Sequence, residues 1–139
     1  MDDGLLRLSL PALRQATLCG NWDRSTLGTL RVDRGSFAEA PQLEYLVLSA
    51  LGAMTLMPDA FAGLTALARL DLSSCGLTCV PTAVTALSGS LKSLAMPYNN
   101  ELQLTSSDVR TLLTLRKLQT LDLQKEPFEM YWLAGRPLL

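Results

Sequence analysis

Leucine recurs along the chain at a regular spacing that predicts both short strands and a repeat. The clearest copy, LARLDLSSCGLTCVP, begins at Leu67 and follows the pattern LxxLxLxxCxLxxVP. The LxxLxL core also starts at Leu43 and at Leu91, in each case 24 residues away. It starts again at Leu118 and, in a weaker form, at Leu13. Five copies therefore cover most of the chain, and a period of this length indicates a repeat architecture.

Alternating residues within each copy predict a strand with one buried side and one solvent-facing side. Successive side chains of a strand point to opposite faces, so Leu70 and Leu72 are expected in the core. Arg69, Asp71 and Ser73 are expected in solvent. One domain over residues 1–139 accommodates all the copies. The predicted strand cores lie near residues 13–18, 43–48, 67–72, 91–96 and 118–123.

The segments between the strand cores are periodic as well, and they predict short return segments. In the last return the chain reads SSDVRTLLTLRK, where Val109, Leu112 and Leu115 share one helical face. Ser106 or Ser107 is expected to cap the first turn of this short helix. The other returns begin with proline, and they are expected to be single turns or irregular arcs.

This alternation of a short strand and a return segment resembles the leucine-rich-repeat family, and the resemblance covers roughly residues 10–128. The resemblance implies an α/β solenoid with a curved parallel sheet on its concave side. Short helical or irregular returns would form the convex side. Within the family, the short irregular repeats rich in Leu, Ala and Thr look like those of intracellular plant or algal proteins.

In that family a polar residue after each strand resembles a ladder rung, because it bonds backbone groups of neighbouring turns that would otherwise be buried without partners. Asn21, Cys75 and Asn99 occupy this place here. Leu51 and Glu126 occupy it in the other two copies. Local irregularity is therefore expected around both of these departures.

Composition and charge narrow the classes of partner and the compartment. The chain has 12 Lys and Arg against 13 Asp and Glu, without a run of either sign, so neither nucleic acid nor a membrane surface is expected as a partner. The acidic start Met1-Asp2-Asp3 lacks the positive charge of a signal peptide, and no apolar stretch approaches the roughly 20 residues of a membrane span. Three cysteines at irregular positions fit a reducing, cytoplasmic setting.

The chemistry of most enzymes is missing from the sequence. Histidine is absent, which removes the commonest general base, the serine and cysteine triads and most catalytic zinc sites. No glycine-rich nucleotide-binding loop follows a strand. Cys75 and Cys79 form CGLTC, but no further ligands stand at metal spacing. The chain is therefore expected to be no enzyme and to carry neither a metal nor another cofactor.

The solvent-facing side of the predicted strands is the candidate binding surface. Tyr45, Arg69 and Tyr98 are the side chains most like interface anchors, because they combine a large contact area with a polar group. The first hypothesis is a cytoplasmic scaffold that binds a partner protein. The alternative is the recognition portion of a ubiquitin-ligase receptor or of an immune-type sensor. The expected partner-binding residues are Tyr45, Arg69, Asp71, Lys92, Tyr98 and Asp122.

The size of the predicted face and the apolar start of the chain add two expectations. Five strands about 4.8 Å apart, each of about five residues, make a face of only about 400 Å². A stable interface uses about 800 Å² on each partner. Residues 4–13 look like the end of a preceding return segment without a polar cap. Either the partner also contacts the rim loops, or the interaction is weak, or the chain is part of a longer array, which the apolar start favours. The isolated chain is then expected to associate end to end.

Overall fold

Five strands lie where the Leu pattern predicts them in the computed structural model of the chain. The structure describes residues 5–20, 30–50 and 54–124. Within these ranges a 3-10 helix over Thr82–Leu87 and helix α1 over Ser106–Leu113 accompany the strands. The strands are β1 Gln15–Cys19, β2 Leu30–Val32, β3 Tyr45–Ser49, β4 Met54–Leu56, β5 Arg69–Asp71, β6 Ser93–Ala95 and β7 Thr120–Asp122.

The strands of the repeat form one parallel sheet in the order β1-β3-β5-β6-β7. Each strand pairs with the strand of the next copy, and the register aligns Leu46 with Leu70, Leu70 with Leu94, and Leu94 with Leu121. The predicted register is therefore confirmed. The fold is mixed α/β, with a five-stranded parallel sheet and few helices.

Each strand begins two residues later than its LxxLxL core, because the first Leu of the core closes a turn. The N–H of Leu13 donates to the carbonyl of Leu10 (3.0 Å), and that of Leu43 donates to the carbonyl of Ala40 (3.2 Å). These two N–H groups bond backward along the chain, so they do not take part in strand pairing. The side chain still contributes to the core, since Leu43 is fully buried.

The inward side chains of β3, β5 and β6 form the centre of the hydrophobic core. Leu46, Leu70 and Leu94 are at most 1% exposed, and burying such a side chain contributes about 1.5–3 kcal/mol. Leu121 occupies the same place on β7 but is 42% exposed. The difference arises because β7 is an edge strand of the described sheet and has a neighbour on one side only.

The return segments complete the core with apolar residues that share the repeat. Phe37, Phe61 and Val84 are fully buried, and the rings of Phe37 and Phe61 stack with their centroids 6.2 Å apart. The 3-10 helix follows Pro81 and buries Ala83, Val84 and Leu87. The returns are therefore part of the packing that holds neighbouring turns together.

A second parallel sheet is formed by β2 and β4, two strands that the Leu pattern does not predict. Its register pairs Leu30 with Met54 and Val32 with Leu56. Val32 belongs to the buried core, and the other three side chains pack against it. Both strands lie between the LxxLxL copies that the spacing of leucine identifies, so the repeat did not predict them.

The start of the described chain runs beside β2. Leu5 forms a parallel bridge with Arg31, and the Leu6 N–H donates to the Arg31 carbonyl (2.9 Å). Leu6 and Leu8 pack against the core, so this part of the expected exposed end is covered. Leu10 is 51% exposed, and β1 lies at the edge of the described sheet. End-to-end self-association stays a prediction.

Asn99 bonds two turns of the chain together, as its place in the repeat predicts. Its Oδ1 accepts hydrogen bonds from the N–H groups of Cys75 (2.9 Å) and Leu77 (3.1 Å). Its Nδ2 donates to the carbonyls of Leu72 and Met96, both at 3.0 Å. The Asn99 side chain is 3% exposed and its amide is fully used. It therefore supplies partners to backbone groups that water does not reach.

Cys75 makes the corresponding contact one turn earlier. Its Sγ donates to the carbonyl of Leu48 at 2.9 Å, and the residue is 4% exposed. The two predicted rungs that the structure describes thus lie where the resemblance places them. Asn21, Leu51 and Glu126 lie outside the described residues.

A residue with a left-handed backbone conformation follows each of three neighbouring strands of the five-stranded sheet, β3, β5 and β6. These residues are 24 positions apart. Ala50, Ser74 and Tyr98 have φ values of 53°, 55° and 64°. The N–H of Ala50 donates to the Ser73 carbonyl, and that of Ser74 to the Pro97 carbonyl, each at 3.0 Å. This conformation is uncommon for residues other than Gly. The periodic bond to the next turn holds the backbone in it.

The N-cap of helix α1 lies one residue before the expected caps. Thr105, and not Ser106 or Ser107, is the N-cap, and it forms a reciprocal capping box with Asp108. Asp108 is only 4% exposed because its Oδ1 also accepts the N–H of Val80 (3.0 Å) in the preceding turn. The carboxylate therefore ties the start of the helix to another part of the chain.

The buried side of α1 differs from the predicted one. Val109 was expected to face the core with Leu112 and Leu115, but it is 46% exposed. The buried positions of this segment are Asp108, Thr111 and Leu115, and Leu112 packs beside them. The bonds of Asp108 turn the helix, so a polar position faces inward and the adjacent Val109 faces solvent.

Hydrogen bonds change the acidity of Asp108. The pKa of Asp108 lies below its ordinary value of 3.8. The hydrogen bond to the Thr105 backbone lowers it most, and the bonds to the Val80 backbone and the Thr105 side chain lower it further, whereas burial raises it. Because the folded pKa is lowered, the carboxylate's stabilisation is fully present above the unfolded value. It is lost as the pH falls through the folded pKa.

We expect Leu70→Asp to unfold the protein, because an unpaired carboxylate buried in the core costs several kcal/mol, comparable with the stability of a small domain. The matched change Asp71→Ala should cost only about 1–2 kcal/mol, because it removes the hydrogen bonds from the N–H and the hydroxyl of Ser73. Urea denaturation of both variants measures the difference. Equal midpoints would contradict the assignment of Leu70 to the buried face.

We expect Asp108→Asn to lower the free energy of unfolding by about 1 kcal/mol at neutral pH, the usual contribution of a helix cap. The wild-type chain should lose this advantage as the pH falls below 3.8, where the carboxylate takes up a proton. Urea titrations at a series of pH values provide the measurement. If the difference in unfolding free energy between the two proteins stays constant down to pH 2, the contribution of the cap does not depend on the charge of Asp108.

Candidate binding site on the five-stranded sheet

Two rows of side chains cross the side of the five-stranded sheet that points away from the core. We call this side the outer face. Pairing of the strands places one residue of each strand in each row. The first row is Gln15, Tyr45, Arg69, Ser93 and Thr120. The second row is Thr17, Val47, Asp71, Ala95 and Asp122.

The outer face carries a cavity of about 300 Å³ over its central strands. Four of the six expected partner-binding residues line it, and the structure therefore brings them together. These four are Tyr45, Arg69, Asp71 and Lys92. The remaining lining residues are Ala68, Leu70, Ser93, Ala95, Gln119 and Thr120.

Tyr98 and Asp122 do not line the cavity. Tyr98 lies beyond the end of β6 in the left-handed conformation, and its N–H donates to the carbonyl of Gln124 (2.6 Å). It is half-buried, so its backbone belongs to the turn that links two copies. Asp122 lies on β7, in the second row of the outer face.

Arg69 is held against Tyr45 at one side of the cavity. Its guanidinium carbon lies 5.8 Å from the centroid of the Tyr45 ring, which is within the range of a cation–π contact. Such a contact orients the guanidinium without neutralising its charge. Arg69 is exposed, so its donors remain accessible from solvent.

The charged groups of the cavity differ in whether they have partners. Within the described ranges, the one ion pair closer than 4.0 Å joins Arg7 and Asp33, which do not belong to the outer face. Arg69 and Lys92 therefore have no carboxylate of the described chain within that distance. The cavity contains two cationic side chains and, in Asp71, one carboxylate.

Asp71 and Asp122 have the same structural task at the ends of their strands. Asp71 Oδ1 accepts the N–H of Ser73 (2.9 Å) and also its hydroxyl, and Asp122 Oδ1 accepts the N–H of Gln124 (2.9 Å). Both carboxylates close the turn after a strand, and β6 separates them. These hydrogen bonds explain why both positions are acidic, and the explanation does not require that either residue binds a partner.

Hydroxyl groups continue the first row beyond Arg69. The hydroxyl of Thr120 donates to Ser93 Oγ at 2.8 Å, so the two side chains of neighbouring strands are linked. Neither residue was among the expected partner-binding residues. Ala95 was missed as well, although aligning the copy that begins at Leu91 with the copy that begins at Leu67 places Ala95 beside Asp71 in the second row.

The cysteines do not form a site with other ligands. Cys19, Cys75 and Cys79 are all free, and Cys75 is used in the core as described above. In the part of the chain that the structure covers, no three His, Cys, Asp or Glu residues are grouped so that they could hold a metal ion. The helices of that part are also too short or too polar to cross a membrane.

Comparisons of the chain with protein-family models, curated proteins and solved structures found no significant match. The interpretation of the outer face therefore rests on its own geometry. That geometry combines an aromatic ring, two cations and linked hydroxyl groups around one concave region, which is suited to binding a polar segment of another molecule.

Proposed function

We propose that this protein is a leucine-rich-repeat scaffold that binds a partner protein through the outer face and has no catalytic role. The in-register LxxLxL strands support the repeat assignment, as do the backbone bonds of Asn99 and Cys75. The lack of histidine in the sequence supports a role in binding. The free cysteines fit a cytoplasmic location.

The observation that carries the proposal is the cavity over β3, β5, β6 and β7. It holds Tyr45 and Arg69 in contact with each other, and aromatic and Arg side chains are enriched where protein interfaces bind most strongly. Arg69 and Lys92 have no ion pair among the described residues. Neither cation is engaged in holding the sheet together, so both are available to a partner.

The partner must also contact the margin of the sheet. The outer face provides only about 400 Å², whereas a stable interface uses about 800 Å² on each side. Three exposed residues each stand immediately before a strand, namely Glu44, Lys92 and Gln119. They extend the surface along the ends at which β3, β6 and β7 begin.

The test is capture of a partner from an extract of the cells that make the protein. The double change Arg69→Glu and Lys92→Glu should abolish capture of a protein that the wild-type chain retains, because it reverses both cations of the cavity. Arg110→Glu is the matched control, since Arg110 is an exposed cation on α1. Captured proteins are compared by quantitative mass spectrometry.

Thermal melting of the same three proteins checks that folding is unchanged, because exposed substitutions usually alter stability by less than about 0.5 kcal/mol. Capture of the same proteins, in the same amounts, by the wild-type chain and the double variant would contradict binding through the outer face.

A further inference from the structure

We propose that the cavity of the outer face recognises the carboxylate of an acidic side chain in a short extended segment of the partner. This inference rests on the proposed function and specifies the chemistry of the segment bound. It follows from three properties of the cavity: its charge, its hydrogen-bond donors and its extent across the strands.

The charge of the cavity favours a ligand with one negative charge. Arg69 and Lys92 contribute two positive charges and Asp71 one negative charge, so the lining has a net charge of +1. Asp71 is already bound by the N–H and hydroxyl of Ser73. A carboxylate brought to the cations balances the net charge, whereas a doubly charged phosphate leaves an excess of negative charge beside Asp71.

The donors of the cavity have the geometry and number that a carboxylate requires. Arg69 presents a planar guanidinium, which can donate two parallel hydrogen bonds to the two oxygens of a carboxylate. Its contact with Tyr45 restrains the guanidinium before a ligand arrives, which reduces the entropy lost on binding. Lys92 adds a second cation beside Ser93, on the neighbouring strand.

The extent of the cavity fixes the length of the bound segment. Its lining runs from Tyr45 on β3 to Thr120 on β7, across four adjacent strands. Three spacings of about 4.8 Å give about 14 Å. An extended chain advances about 3.3–3.6 Å per residue, so about four or five residues cross the cavity. The acidic residue would lie near the middle of them, over β5 and β6.

The experiment uses the full chain and a phage library of random heptapeptides. Peptides are selected on the wild-type protein and counter-selected on the double variant Arg69→Glu, Lys92→Glu. We expect the enriched peptides to share Asp or Glu at one fixed position. In fluorescence anisotropy with synthetic copies, exchanging that residue for its amide should weaken binding about tenfold, as the loss of a charge-assisted hydrogen bond does.

Two protein variants identify which side chain receives the carboxylate. Arg69→Ala and Lys92→Ala should each weaken the acidic peptide about tenfold, and each should reduce the effect of the amide exchange, because the two changes then remove the same contact. Arg110→Ala should bind both peptides like the wild-type protein. Binding of the acidic peptide should also weaken as salt is added.

The outcomes separate this inference from the proposed function. Peptides that depend on Arg69 and Lys92 but tolerate the amide exchange would overturn the inference and leave binding through the outer face intact. A phosphoserine peptide that binds more than about ten times as tightly as the Asp peptide would replace carboxylate recognition by phosphate recognition. No enrichment over the double variant would also overturn the inference, while the capture experiment judges the proposed function independently.

Discussion

The structure depends on the stacking of inward leucines from one copy of the repeat onto those of the next. Leu46, Leu70 and Leu94 lie in register on adjacent strands, and all are buried. No single copy buries these side chains alone, because one three- to five-residue strand has no second layer of its own. The register that stacks the leucines also sets the pairing of the strands, so the outward side chains of all five strands align in two rows.

The ends of the strands pose the second constraint, since their backbone groups turn into the protein and not into water. Asn99 and Cys75 bond to the carbonyls and N–H groups of neighbouring turns. The left-handed residues Ala50 and Ser74 direct a further N–H to the next turn. These bonds are made at the ends of the strands and inside the core. The middle of the outer face therefore contributes little to holding the fold together, and Arg69 and Lys92 have no ion-pair partner among the described residues.

Much of the central sheet was predictable, because the spacing of leucine determines which side of each strand is buried. The polar rungs were predictable from their place after the strand. The helix was predicted in the right position, but its buried side was predicted wrongly. Asp108 faces inward because it accepts the N–H of Val80 as well as that of the N-cap residue Thr105. A polar residue at a buried position cannot be distinguished by periodicity from one in solvent. The strands β2 and β4 were missed because they lie between the copies of the LxxLxL core that marked the other five strands.

The candidate site was predictable only in part. Tyr45, Arg69, Asp71 and Lys92 line the cavity as a group, because they share the outward side of neighbouring strands. Tyr98 was placed among them by counting residues, but the left-handed turn carries it past the end of β6. Nothing in the sequence predicts this positive φ, because Tyr98 stands at a position where glycine would be the residue that favours it.

Amide hydrogen exchange of the full chain, followed by NMR, tests the central claim most directly. If stacking of successive copies holds the fold together, the N–H groups of Leu72 and Met96, which bond to the carbonyls of Ala95 and Asp122, should exchange only through global unfolding. So should the Cys75 N–H that donates to Asn99. Their opening free energies should then equal the free energy of unfolding from urea denaturation. Exchange of these three groups at the rate of an unfolded chain, while the protein remains folded, would contradict the account.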